Sequence, residues 1–203
     1  MNNNIKSKTL SGLVWQFLQK IISQLFSFVI TVVLARLLAP EDYGVVALAC
    51  MFNILVGIFI SGSMDAALIQ KKDADELDYN TVFYSSLLMS FVIYGVVYFG
   101  SPYFASLYHN DLICPVMRVL ALTMPIGALA MVQNAVISRQ MEFKKFFCSS
   151  LIGQVISAAI GVVMAYQGFG PWALVAQQIV STITNTMVMF CIVRWNPKLQ
   201  FSW

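Results

Sequence analysis

Six runs of apolar residues, separated by short polar interruptions, divide the chain into residues 10–34, 44–69, 82–103, 112–137, 147–166 and 172–193. Each is long enough for an α-helix to cross a hydrocarbon core ~30 Å thick, some with tilt. The alternation of a barrel strand is absent from them. A helix is also the open-ended element that satisfies its own backbone groups in lipid. The pattern predicts an all-α membrane protein with six transmembrane helices in one bundle spanning residues 1–203. The polar interruptions fall at residues 39–42, 71–80, 108–111, 138–145 and 167–171. Proline placement agrees with these boundaries. Pro40 and Pro102 are expected at or beyond helix ends, and Pro115 and Pro171 near first turns. Pro125 is interior to its run and should kink the fourth helix.

The runs also carry ordered polar positions. In the first, Gln16, Lys20, Ser23, Ser27 and Thr31 recur at steps of three and four, which places them within one arc of a helix, with Gln19 and Gln24 widening it. The second repeats the theme with Asn53, Gly57, Ser61 and Asp65, the third with Ser86, Ser90, Tyr94 and Tyr98, and the sixth with Gln177, Gln178, Ser181, Thr182 and Asn185. Any one such stripe reads as hydrogen-bonding glue between helices. Stripes on four runs of six point to a wet internal cavity. In the fifth run Gly153, Ser157 and Gly161 form a small-residue series that allows close helix approach. Lys20 lies near the middle of its run, where an ammonium costs about 3 kcal/mol on insertion scales, so it is expected to line the cavity or to pair with an acid. Arg118 is two turns inside its run and Asp65 near the end of its own, so snorkelling to an interface competes with a cavity role for both.

Composition supports the membrane assignment: 59% of residues are hydrophobic and 10% charged, against about 25% charged in a soluble domain. Lys and Arg are distributed unevenly. Lys6, Lys8, Lys71, Lys72, Arg139, Lys144, Lys145, Arg194 and Lys198 flank one side of the six spans, and Arg36 alone flanks the other. The positive-inside rule then places both chain ends in the cytoplasm. The aromatic residues Tyr43, Tyr103, Tyr108, Tyr166 and Trp172 mark the opposite interface, with Tyr79 and Trp195 on the cytoplasmic side. The first run is too long for a signal-peptide core and contains Lys20, so it reads as an uncleaved span. A cysteine placed in residues 105–111 should therefore be labelled by an impermeant maleimide on intact spheroplasts. One in residues 71–79 or 138–145 should be labelled only after permeabilisation, and the reverse pattern would invert the orientation.

Chemistry-bearing constellations are sparse. Cys50, Cys114, Cys148 and Cys191 are widely spaced and sit in or beside apolar runs, as small hydrophobes. His109, the lone histidine, reads as a solvated loop residue. The acidic segment at residues 73–78 lacks the glycine and spacing of a calcium loop and reads as the N-terminal cap of the third helix. No P-loop, dinucleotide fingerprint or nucleic-acid motif is present. The reading is of a non-enzyme without metal or cofactor.

Several segments resemble a known family. The block Leu34-Ala-Arg-Leu-Leu-Ala-Pro-Glu-Asp-Tyr-Gly44 is similar to the signature that follows the first helix of Wzx-type bacterial polysaccharide flippases, a branch of the multidrug/oligosaccharidyl-lipid/polysaccharide exporter superfamily. Ala67-Leu-Ile-Gln-Lys-Lys-Asp73, Asn80-Thr-Val-Phe83, Arg118-Val-Leu-Ala-Leu122, Arg139-Gln-Met-Glu-Phe-Lys-Lys145 and Gly168-Phe-Gly-Pro-Trp-Ala-Leu-Val-Ala-Gln-Gln178 follow in the family's order, most like its lipopolysaccharide- and colanic-acid-type exporters. The resemblance implies transport of a polyprenyl-pyrophosphate-linked oligosaccharide across a bacterial inner membrane by alternating access. It also implies that the chain corresponds to the N-terminal half of a two-bundle exporter. Its partners would be the lipid bilayer, the lipid-linked oligosaccharide, a C-terminal bundle and polysaccharide assembly proteins. Lys20, Arg36 and Arg118 would then face pyrophosphate or acidic sugars, and Gln16, Ser23, Ser27, Asn53, Asp65, Gln177 and Asn185 complete the candidate substrate path. Alternatives are half of a multidrug-type cation antiporter, for which these cations are unfavourable, a glycan polymerase, for which the loops are too short, and a non-transporting subunit of a polysaccharide assembly complex.

Overall fold

The computed structural model describes the backbone of residues 2–70, 76–140 and 143–193, and the side chains of residues 17–18, 20–55, 57, 77–137 and 147–193. Seven helices joined by short connections make up these segments: α1 (Asn2–Leu37), α2 (Pro40–Gln70), α3 (Glu76–Leu107), α4 (Ile113–Ala121), α5 (Thr123–Gln140), α6 (Phe143–Tyr166) and α7 (Pro171–Val193). Five stretches, Lys20–Leu37, Leu77–Leu107, Ile113–Ile137, Phe147–Tyr166 and Pro171–Val193, are long and apolar enough to cross a membrane. The expected second span coincides with α2, whose side chains over residues 58–70 lie outside the described residues. Large apolar side chains, among them Phe17, Phe28, Leu88, Phe91, Phe99 and Val163, stand on the outer surface, as a lipid solvent requires.

Two prolines depart from their expected places. Pro102 lies inside α3, five residues before its end. Its missing N–H would leave the Tyr98 carbonyl one turn back without a donor, a costly vacancy in an apolar setting. Here Ser101 Oγ donates to Tyr98 O at 2.9 Å and Arg118 Nε, from α4, donates to it at 3.3 Å, so the helix continues past the proline. Pro125, expected to kink one continuous helix, instead follows a full break: the fourth span is two helices joined at Leu122. Pro125 cannot donate to the Ala121 carbonyl and its ring crowds that oxygen. The chain tightens ahead of it, with Leu122 N–H donating to Val119 O at 3.2 Å and Thr123 Oγ1 to Leu120 O at 2.6 Å.

At one end of the bundle the α1–α2, α3–α4 and α6–α7 connections are short. The last two close by the same cap, in which a left-handed residue lets two amides turn back onto the final carbonyls. His109 (φ 50°) and Gly168 (φ 78°) occupy that position. Asn110 N–H reaches Ala105 O at 3.1 Å, and Phe169 N–H reaches Met164 O at 3.2 Å. Next to these connections lies the main core, centred on α4: Val116, Leu120 and Ala121 are fully buried against Ala49 of α2, Val97 and Ala105 of α3, and Ala173 and Val175 of α7. Small residues at these contacts let the helices approach closely in lipid, where packing replaces hydrophobic drive. α6 lies along α7, α1 packs on α6, and α5 bridges α7 and α3.

Candidate functional site

The close seam between α6 and α7 sets the position of a cleft inside the bundle. As the small-residue series in the fifth run suggests, a Cβ on Gly153 would lie 3.3 Å from Ser181 O, and one on Gly161 would lie 3.1 Å from Gln177 Cβ. α1 continues this layer by packing on α6, while α2 packs on α7 from the other side. Between α1 and α2, over a floor of α6 and α7, the helices leave a cleft of about 380 Å³, within the usual range for small-molecule sites. Tyr43 Oη donates to Thr31 O at 3.4 Å and ties the two walls near their connection. From Tyr43, three residues into α2, the cleft reaches down to Gln154, twelve residues before the end of α6, a depth of ~14 Å at helical rise. It therefore extends from near the connection end to about the middle of the helices.

Its polar lining is uncharged. α1 contributes Ser27 and Thr31, α6 Gln154 and Ser157, α7 Gln177, Gln178 and Ser181, and α2 Tyr43 and Cys50; Phe26, Ile30 and Val46 are among the apolar side chains. Gln178 Nε2 donates to Cys50 Sγ at 3.0 Å, across the α2–α7 contact. Gln154 Oε1 is buried and has no hydrogen-bond partner. The site can exchange hydrogen bonds in both directions, since carboxamides and hydroxyls donate and accept, and none of the described lining residues carries a formal charge.

The structure brings only part of the expected substrate path to this cleft. Ser27 and Gln177 line it. Lys20 is exposed on the same face of α1 as Ser27 but seven residues earlier, ~10 Å along the axis, and outside the lining. Ser23, between them, has a buried hydroxyl without a partner and also lies off the cleft. Arg36 is exposed in the last turn of α1, where a cation suits the helix C-terminus. Asn53 is half-buried, one turn beyond Cys50. Asn185 clamps the α6–α7 seam by accepting from Ser149 Oγ at 3.0 Å. The side chains of Gln16 and Asp65 lie outside the described residues. In the stripe on the third run, Ser86 and Ser90 are fully buried and return their hydroxyls to Phe83 O and Leu87 O. Gln154 is absent from the expected path. The available signal is a single carboxamide in an otherwise small and apolar run, one turn from Ser157.

Arg118 is engaged at the α3–α4 contact, away from the cleft. Besides the Tyr98 carbonyl, its Nε donates to Ser101 Oγ at 2.9 Å, and its guanidinium lies 4.2 Å from the centre of the Tyr98 ring. Such stacking adds a cation–π attraction to the hydrogen bonds. Among the described residues no group of three or more His, Cys, Asp or Glu side chains converges to hold a metal ion.

Comparison with known proteins adds a family. Residues 33–203 match the family described as polysaccharide biosynthesis protein. The chain is 28% identical over 203 residues to the succinoglycan biosynthesis transport protein ExoT of Rhizobium meliloti (strain 1021). That match covers 100% of this chain and 41% of the relative, so the chain spans about two-fifths of the length of the curated relative it matches. No solved structure matches it.

Proposed function

The chain belongs to the polysaccharide biosynthesis protein family, and from that premise we propose that it is a transporter component, one bundle of a two-bundle exporter that moves a polysaccharide precursor through a bacterial inner membrane. The observation that carries this reading is the uncharged polar cleft between α1 and α2, inside a bundle whose outer face is apolar. A purely structural membrane subunit has no use for such a cleft. The relative named as a transport protein is longer than this chain, which supports a second bundle as the opposite wall. Alternating access then follows from rocking one bundle against the other around the cleft. The precursor is an oligosaccharide on a polyprenyl pyrophosphate, and both ends of this chain face the cytoplasm. Lys20 lies on the cytoplasmic side of the cleft, on Ser27's face of α1, where an ammonium attracts an entering pyrophosphate.

The test is movement of a fluorescent lipid-linked oligosaccharide across vesicles holding this chain, with and without the C-terminal part of a family member. Movement is expected only when the second bundle is supplied. Lys20→Ala should then lower the rate per inserted molecule about tenfold, the effect of losing ~1.4 kcal/mol of charge attraction, while Lys20→Arg retains most of it. No movement in either preparation, with the chain inserted, would overturn the transport reading.

A further inference from the structure

We propose that Arg118 holds the phosphate of a membrane phospholipid at the α3–α4 contact, on the lipid-facing side of the bundle and away from the cleft. The protein itself fixes the guanidinium. Its Nε donates to Tyr98 O and Ser101 Oγ, and one face of its plane rests on the Tyr98 ring. Those contacts leave the two terminal amino groups, with four N–H donors between them, unmatched by any described residue. No described acid pairs with the charge. A guanidinium in an apolar shell is costly without an anion, and its planar fork matches two oxygens of a phosphate.

Depth and surroundings select a lipid headgroup. Arg118 is five residues into α4, ~8 Å along the axis from its start. Helical side chains lean toward the N-terminus of their own helix, so the guanidinium is carried back toward the connection end. Aromatic side chains mark a membrane interface there: on α3, Tyr98 is 38% exposed, Phe99 83% and Tyr103 71%. The cleft is lined by α1, α2, α6 and α7 and by no residue of α3 or α4. A phosphate on Arg118 therefore sits outside the cleft, in the leaflet at the connection end, and does not depend on transport.

The test is nitrogen–phosphorus dipolar dephasing by solid-state NMR, in phosphate-free buffer, with the arginine η nitrogens isotopically labelled. The chain carries Arg36→Lys, Arg139→Lys and Arg194→Lys, so that Arg118 is its remaining arginine. In phosphatidylethanolamine–phosphatidylglycerol vesicles the η nitrogens should lie ~4 Å from lipid phosphorus, the spacing of a direct N–H···O–P contact. Tyr98→Leu in the same background should weaken that dephasing about twofold, because the guanidinium loses its stacking seat. In digalactosyl diacylglycerol vesicles, whose lipid has no phosphate, equimolar geranylgeranyl pyrophosphate should leave dephasing near background. Absence of the contact in phospholipid overturns the proposal. Equal dephasing by the pyrophosphate would assign the site to a lipid carrier and overturn the phospholipid assignment. Dephasing unchanged by Tyr98→Leu would reduce Arg118 to a side chain that finds headgroups by snorkelling, and would overturn a site built by α3.

Discussion

With the second bundle supplied, the Gly161→Leu variant is expected to insert normally and to lose more than about tenfold in transport per folded molecule, the cost of overpacking a close helix seam by ~1–3 kcal/mol. The reason lies in the distances. A Cβ at this position meets Gln177 Cβ at 3.1 Å, Gln177 Cγ at 3.3 Å and the Ala173 carbonyl at 3.5 Å. Gly161→Ala therefore requires a shift of a few tenths of an ångström, which the flexible Gln177 stem can absorb at a small loss of rate. Leucine adds three more carbons in the direction of the α7 backbone, so either α6 and α7 part or Gln177 swings out of the cleft. Gly95→Leu is the control, because nothing lies within 4 Å of a Cβ there. It should leave both stability and transport unchanged. Transport by Gly161→Leu at the level of the unaltered chain would show that the α6–α7 seam does not position the cleft.

The seam was legible in the sequence because its signal is local: Gly153, Ser157 and Gly161 recur every four residues on one helix. The same holds for the helical class: apolar runs predict helices, and the described residues are helical with five stretches long and apolar enough to cross a membrane. What could not be read depends on neighbours distant in sequence. Gln154 gains meaning only when α6 forms a floor beneath α1 and α2. Ser86 and Ser90 have the spacing of a cavity stripe, but a serine in an apolar helix can return its hydroxyl to its own backbone, and both do. Lys20 stood out by charge in an apolar run, yet periodicity specifies a face of α1 and not how far along it the cleft extends. Pro102 marks a helix end when only its own chain segment is considered. Its tolerance inside α3 requires a donor sixteen residues later, on another helix.

That donor leads to the second large effect: Arg118→Ala should lower the thermal stability of the bundle markedly, and Pro102→Ala should reverse part of the loss. Removing the guanidinium deletes charge-assisted hydrogen bonds to Tyr98 O and Ser101 Oγ, worth about 1.5–3 kcal/mol, together with the stacking on Tyr98, worth about 0.5–2 kcal/mol. Alanine at position 102 restores a backbone N–H within reach of the Tyr98 carbonyl, so the arginine's contribution to that oxygen becomes redundant. In the Pro102→Ala background, Arg118→Ala should therefore cost less by about 1 kcal/mol, read as a non-additive term in a double-mutant cycle. Arg118→Lys separates this role from simple snorkelling. A lysine carries its charge to the interface as well as an arginine does, but it has no Nε donor beside a planar group to bridge Tyr98 O and Ser101 Oγ while stacking on the ring. Partial loss with lysine and a coupled cycle are the expected pair of results in detergent melting experiments. Strict additivity, with Arg118→Lys melting like the unaltered chain, would mean that Arg118 only reaches for the membrane surface. A fall in transport per folded molecule with melting unchanged would instead return Arg118 to the substrate path.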